Sequence, residues 1–268
     1  MRISIAGQVV RNFMQLAVPV VATSVVMFAA FTVSVVTTAT IAYSDESLPD
    51  AVEWIRSAKD SKLLKVDFYA PDQRPNAYPG WTDFELTLEY KYNHRTRWNP
   101  TSGDQLAVTI LPTFTLVKPV VSHAIQLPDS IDASQWHDST LGRHELDHVA
   151  IGSHPRLIML AKHLVKNIGK LNRTVDNRSD VTQKWTQDLI TEEVTARRRA
   201  VQRMAMSNND RLDELTRHGG NDLDRRAEFF DRLFLKENLD AAKFPYLGDV
   251  LKLVESEEYL SATVPFSH

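Results

Sequence analysis

The residues of this chain best suited to chemistry lie in one short run, Arg143-His144-Glu145-Leu146-Asp147-His148. On a helix, positions i and i+4 stand one turn apart on the same face, so His144 and His148 can aim two imidazoles at a single metal ion. Glu145 then lies beside them, where a carboxylate can take a proton from a metal-bound water. The chain has no cysteine, which removes thiolate metal sites, thiol nucleophiles and disulfides and leaves His, Asp and Glu as donors. Zn2+ is the ion this spacing predicts, and a catalytic zinc needs three protein donors with one position left open for water.

Three residues compete for the third position. His154 follows His148 by six positions, and an unbroken helix would rotate it about 240° away. It can bind only if Gly152-Ser153 ends the helix. Glu192, with Glu193 beside it, shares a face with Trp185 and Leu189 on a later helical stretch. A glutamate buried there must be paired, and Arg197, Arg198 or Arg199 offers a salt bridge instead of a metal. His218 precedes Gly219, whose backbone freedom allows a tight turn that would bring the imidazole back to the first helix. Asp213, just upstream, can hold a ligand's other ring nitrogen as a supporting carboxylate. Residue chemistry alone does not rank Glu192 against His218. His94, His123, His137 and His163 have no partner at ligand spacing and read as surface or strand-end residues.

The elements that must carry these groups change type midway. Val52, Ile55 and Ala58 at helical spacing predict a short helix between Leu48 and Leu64. Leu64 to Tyr69 alternates as a strand does, and Pro71, Pro75, Pro79 and Gly80 form a loop. Phe84 to Tyr92 alternates over its whole length and is the clearest strand. Leu106–Ile110, Thr113–Leu116 and Val120–Leu127 predict further strands, separated at Pro112. After Pro128 the period becomes helical. Asp132 is the expected N-cap of a helix running through Trp136, Leu141 and the His-Glu-x-x-His run, broken near Gly152 and Pro155. A second long helix is expected from about Thr182 to Met206, and shorter apolar stretches around Phe229–Phe234 and Val250–Val254 close the chain. The expected fold is α+β and zincin-like: a small, mostly antiparallel sheet, then a helical half carrying the motif.

With 268 residues, 43% of them hydrophobic, the chain can build a full core, and its net charge of −3 offers no basic surface for nucleic acid. Residues 16–42 carry no charge and would span about 40 Å as a helix, enough to cross a bilayer. Arg2 and Arg11 precede the run and Asp45, Glu46 and Asp50 follow it, which predicts residues 1–15 in the cytoplasm and the remainder exported. The length favours one transmembrane signal anchor over a long signal peptide cleaved after Ala42. The exported domain is expected from residue 48 to 268, on the extracytoplasmic side of the membrane or, if cleaved, secreted.

The exported part resembles a bacterial family of unknown function described as predicted secreted zinc-dependent proteases. The matching features are the aromatic-ended strand Leu88-Glu89-Tyr90-Lys91-Tyr92, Leu127-Pro128, Trp136, the stretch from His144 to Ile151, and a closing segment Leu212-Asp213-Glu214-Leu215-Thr216-Arg217-His218-Gly219. The family has a tyrosine where this chain has Leu212. The resemblance covers about residues 60–220, leaving 221–268 as a helical C-terminal extension. It implies a zinc peptidase acting on peptides or proteins, with Glu145 as general base and His218 as a site residue and third ligand. An oxyanion partner would come from Tyr90, Tyr92, Arg217 or His218. The competing class is a non-catalytic, membrane-anchored envelope protein with a structural or vestigial zinc site; hydrolysis of a non-peptide amide ranks third.

Overall fold

A computed structural model describes residues 51–74, 77–101, 105–264 and 266, all within the second of two units, Leu48–His268. The apolar run at 16–42 lies outside the described residues. Among those described, no helix is long and apolar enough to cross a membrane.

The described chain is α+β. Helix α1 (Ala51–Asp60) turns Ala51, Ile55 and Ala58 inward, while Val52 faces solvent. Strand β1 (Leu64–Tyr69) follows, then β2 (Trp81–Pro100) and β3 (Leu106–Pro128), which pair as one long antiparallel hairpin. The sheet order is β1-β3-β2, with β4 (Leu171–Val175) pairing the first residues of β3. The sheet is therefore mixed rather than antiparallel throughout. β1 lies on the far side of β3 from β2 and runs parallel to it, Leu64 opposite His123 and Tyr69 opposite Pro128.

The three expected strands of 106–127 are one strand, and Pro112 does not break it. Pro112 lies opposite His94 and Pro119 opposite Leu88. The amide of His123 donates to Leu63 O on the β1 side, so residues in phase with it turn their nitrogens away from β2. Pro119 is in phase, and a bulge that leaves Thr115 unpaired, where the register shifts at Lys91/Tyr92, brings Pro112 into the same phase. Both prolines therefore present their nitrogens to the edge between Leu111 and Ser122, where no strand among the described residues pairs. No ladder bond is lost there.

One face of the sheet carries the core. Leu86, Val108, Ile110, Ile125 and Leu127 are buried, whereas Asp83, Glu85, Thr87, Glu89 and Lys91 on the other face are exposed. Against the apolar face pack α2 (Thr140–Gly152), α3 (Pro155–Lys166) and α4 (Gln183–Thr216). Asp132 does not begin α2. Its carboxylate accepts from Ser134 and closes a turn, a 3-10 turn follows at Trp136–Asp138, and Ser139 caps α2 through the amide of Gly142. α2 stops at Gly152, and α3 restarts at Pro155, which has no amide hydrogen to lose at a first helical position. α4 begins under the Thr182 cap and runs through Thr216, one long helix where a shorter one ending near Met206 was expected. Its buried stripe continues past Met204 and Ala205 through Asn208, Asn209 and Leu212.

The C-terminal residues are part of the same core. Helices α5 (Arg226–Asp231), α6 (Lys236–Ala241), α7 (Leu247–Val254) and α8 (Glu257–Leu260), with Phe234 between the first two, bring Phe229, Phe230, Phe234 and Tyr259 into the same apolar cluster as Leu157 and Leu160 of α3. Arg156 on α3, 4% exposed, donates to the carbonyl oxygens of Asp231, Leu233, Tyr259 and Leu260. A buried guanidinium thus has its donors met by backbone, and it ties two separate parts of the tail to one helix.

Candidate metal centre

α2 presents its motif from deep inside the protein. His144, Glu145, Asp147 and His148 are each less than 9% exposed. The Nε2 atoms of His144 and His148 lie 3.1 Å apart, and each is 3.1 Å from Oδ1 of Asp213. These three residues form a group whose donor atoms can meet on one metal ion. Asp213, expected only as a supporting carboxylate, contributes the third donor atom of this group.

The outer nitrogens explain why the inner ones are donors. His148 Nδ1 bonds to Asn209 Oδ1 at 3.1 Å. His144 Nδ1 lies 3.1 Å from the hydroxyl of Thr216, which already donates to Leu212 O at 2.8 Å and must therefore accept from the ring. With a metal ion between them, both imidazoles would carry their hydrogen on Nδ1 and turn Nε2 lone pairs inward. Asn209, Asp213 and Thr216 stand at i, i+4 and i+7 on α4, one face of one helix. Two nitrogen lone pairs and a carboxylate oxygen facing one another at 3.1 Å repel unless a cation or proton sits between them. Donors about 2.0–2.1 Å from a tetrahedral zinc lie about 3.3 Å from each other. The set fits a metal ion in donor chemistry and in spacing.

Without a metal the same contacts hold a proton. Burial alone would depress His148, but its hydrogen bond to Asp213 and the charges of Glu145 and Asp213 outweigh that and push it up to about 9. Asp213 would be raised by burial, yet its bonds to His144 and His148 hold its carboxyl well below the usual range. Burial raises Glu145, which is 1% exposed, against the lowering pull of His148, His144 and the Thr82 hydroxyl.

Glu145 is fixed from β2. Thr82 Oγ1 donates to Glu145 Oε2 at 2.7 Å, and the backbone of Gly80 passes so close that a Cβ there would stand 2.6 Å from Oε1. The last turn of α4 ends in three left-handed residues, Arg217 (φ 52°), His218 (φ 54°) and Gly219 (φ 78°). A Cβ on Gly219 would meet His144 Cδ2 at 3.0 Å, so the chain folds back against the ligand. His218 Nδ1 comes to 3.6 Å from Asp213 Oδ1, and its ring stacks on Tyr78 with centroids 4.0 Å apart. It lies outside the group whose donor atoms are all within 4.8 Å of one another.

The other candidates stand elsewhere. Glu192 is exposed and lies about 32 Å from Asp213 along the same helix; Glu193 binds Arg197 at 2.8 Å. His154 is fully buried as the N-cap of α3, its Nδ1 accepting from the Arg156 amide, and its ring packs on Phe234. His123, read as a strand-end residue, is buried beneath α2 with Nε2 3.0 Å from Ser153 Oγ. Tyr90 and Tyr92 pack on Phe114, in a separate apolar cluster with Val108, Ile110 and Val194. Asp147 of the motif pairs with Arg226, and Arg143 pairs with Asp222 at 2.8 Å, so the C-terminal residues hold both sides of the metal helix. A cleft of about 460 Å3 near His163, Lys170 and Arg173 shares no residue with this centre; its buried Arg197 is already bound by Glu193 and Asp249.

No family model, curated protein or solved structure matches the chain.

Proposed function

We propose that the protein is a zinc-dependent hydrolase of peptide bonds, with the metal held by His144, His148 and Asp213 and with Glu145 as general base. The observation that carries this reading is the triad itself, three donor atoms mutually 3.1 Å apart with the buried Glu145 next in sequence to His144. A structural site has no use for that carboxylate. Zinc held there would act as a Lewis acid and bring the pKa of a bound water towards neutrality.

The chain's own residues do the rest. Thr82 holds Glu145 through Oε2 and so orients the carboxylate that takes the proton from the attacking water. The water oxygen adds to the peptide carbonyl carbon, and Glu145 delivers the proton to the departing amine nitrogen as the C–N bond breaks. An extended substrate also has somewhere to lie. The carbonyl of Leu86 points outward from β2, since Arg198 donates to it. Arg198 occupies that carbonyl, but Thr82 and Phe84, in phase with Leu86, turn backbone groups to the same edge, which pairs with no strand among the described residues. The uncharged run at 16–42 supports placing this activity outside the cytoplasm, tethered to the membrane or secreted, as in the secreted peptidase family that the motifs resemble.

The test is Glu145→Gln in protein loaded with zinc. One zinc per chain should remain, by elemental analysis, while cleavage of casein or a peptide library falls at least about 100-fold. A variant that cleaves at the wild-type rate would sink the mechanism. Zinc-loaded wild type that cleaves nothing would favour a binding protein.

A further inference from the structure

His218 holds a place that the ligand set does not explain. Two consecutive non-glycine residues, Arg217 and His218, sit in the left-handed region before Gly219, a conformation that the Cβ of each disfavours. The turn brings the imidazole to 3.6 Å from the one Asp213 oxygen that faces both ligand histidines. Tyr78, from the loop before β2, lies nearly parallel to it, rings 4.0 Å apart at 23°. The same loop brings Gly80 against Glu145. His218 is thus pinned between a strained turn and an aromatic ring, beside the metal centre, with 41% of its side chain still open to solvent. A third or fourth ligand would lie at donor spacing from both histidines, and His218 does not.

Resting on the peptidase reading above, we infer that His218 is the hydrogen-bond donor for the substrate oxygen that gains charge during hydrolysis, and that Tyr78 is its positioning residue. Attack on the carbonyl moves the π electrons onto that oxygen. A ring N–H of His218 donates to it there and takes nothing from it when the carbonyl re-forms. Such a donor acts on the transition state and leaves metal affinity alone. Tyr78 acts through its ring face, so phenylalanine should replace it and alanine should not.

The experiment uses the full chain and two readouts: zinc affinity by competition with a chromophoric chelator, and binding of a peptide phosphonamidate, whose tetrahedral oxygens mimic the attacked carbonyl. Asp213→Ala should weaken zinc at least about 100-fold, and His218→Ala less than about threefold. With zinc bound, His218→Ala should bind the phosphonamidate about 100-fold more weakly and lose kcat by a similar factor at unchanged KM. Tyr78→Ala should show part of that loss and Tyr78→Phe none. If His218→Ala loses zinc as Asp213→Ala does, His218 is a ligand and the inference fails. Unchanged phosphonamidate binding and kcat in His218→Ala also overturn it, leaving the peptidase reading intact. A zinc-loaded wild type that neither binds the phosphonamidate nor cleaves peptides overturns both.

Discussion

His144 and His148 differ from His123 and His154 in what meets their second nitrogen. Each histidine of the triad has its Nδ1 beside an acceptor on α4, Thr216 for one and Asn209 for the other. Those acceptors hold the tautomer that turns Nε2 inward. Thr216→Val keeps the shape of the side chain and removes the acceptor, leaving a buried N–H on His144 without its bond. Zinc affinity should fall about 10- to 100-fold, read by chelator competition. An unchanged affinity would show that the hydroxyl does not set the tautomer. The reach of the sequence can be judged at this scale. His144, Glu145 and His148 were legible because i, i+4 geometry is local. Asp213 as a donor was not, because it depends on how α2 meets α4. A signal was present all the same: Asn209, Asp213 and Thr216 continue the inward stripe of Val201, Met204, Ala205 and Leu212 with polar residues. Buried polar side chains at core spacing need partners, and an end assigned near Met206 hid them.

At the scale of elements, alternation located β1 and the middle of β2, Phe84 to Tyr92, where exposed residues alternate with buried or half-buried ones; it missed the run on to Pro100, most of which is exposed on both faces. It failed on β3 because proline was weighed as a breaker without regard to which edge its nitrogen would meet. Pro112 and Pro119 do more than fit there. Between Leu111 and Ser122 the edge of β3 is flanked by β1 and β4, and a run of free amides in that gap would invite another strand. Replacing both prolines by threonine should leave the fold intact and increase self-association, seen by sedimentation velocity against the parent protein. If the double variant behaves as the parent does, the prolines are tolerated rather than protective.

The whole molecule responds to pH through histidines that do no chemistry. Burial holds His123 down to about 3, with the charge of His148 adding to it. Burial and the neighbouring Arg156 hold His154 to about 3. In the unfolded chain both would titrate near 6.5. Between those values the unfolded state binds more protons at these two positions, so their contribution to stability is complete above pH 6.5 and is lost as pH falls towards 3. Each residue contributes roughly 1.4 kcal/mol per pH unit over that window. His154→Asn keeps an N-cap acceptor and does not titrate. Denaturant midpoints between pH 7 and pH 4.5 should decline less steeply for this variant, and parallel slopes would mean that His154 is not buried neutral. Nothing in the sequence marked either residue as buried, because both depend on packing between distant segments, β3 against α2 and α3 against the C-terminal helices.

The span of chain that the triad closes has a further consequence. His148 and Asp213 are 65 positions apart, and the chain has no cysteine with which to cross-link itself. A zinc ion gripping both would act as a reversible staple. A permanent link across a loop of that length would take about 4 kcal/mol of chain entropy from the unfolded state. Loss of metal would then loosen the seam between α2 and the end of α4. Chelation would then become a route to unfolding and degradation.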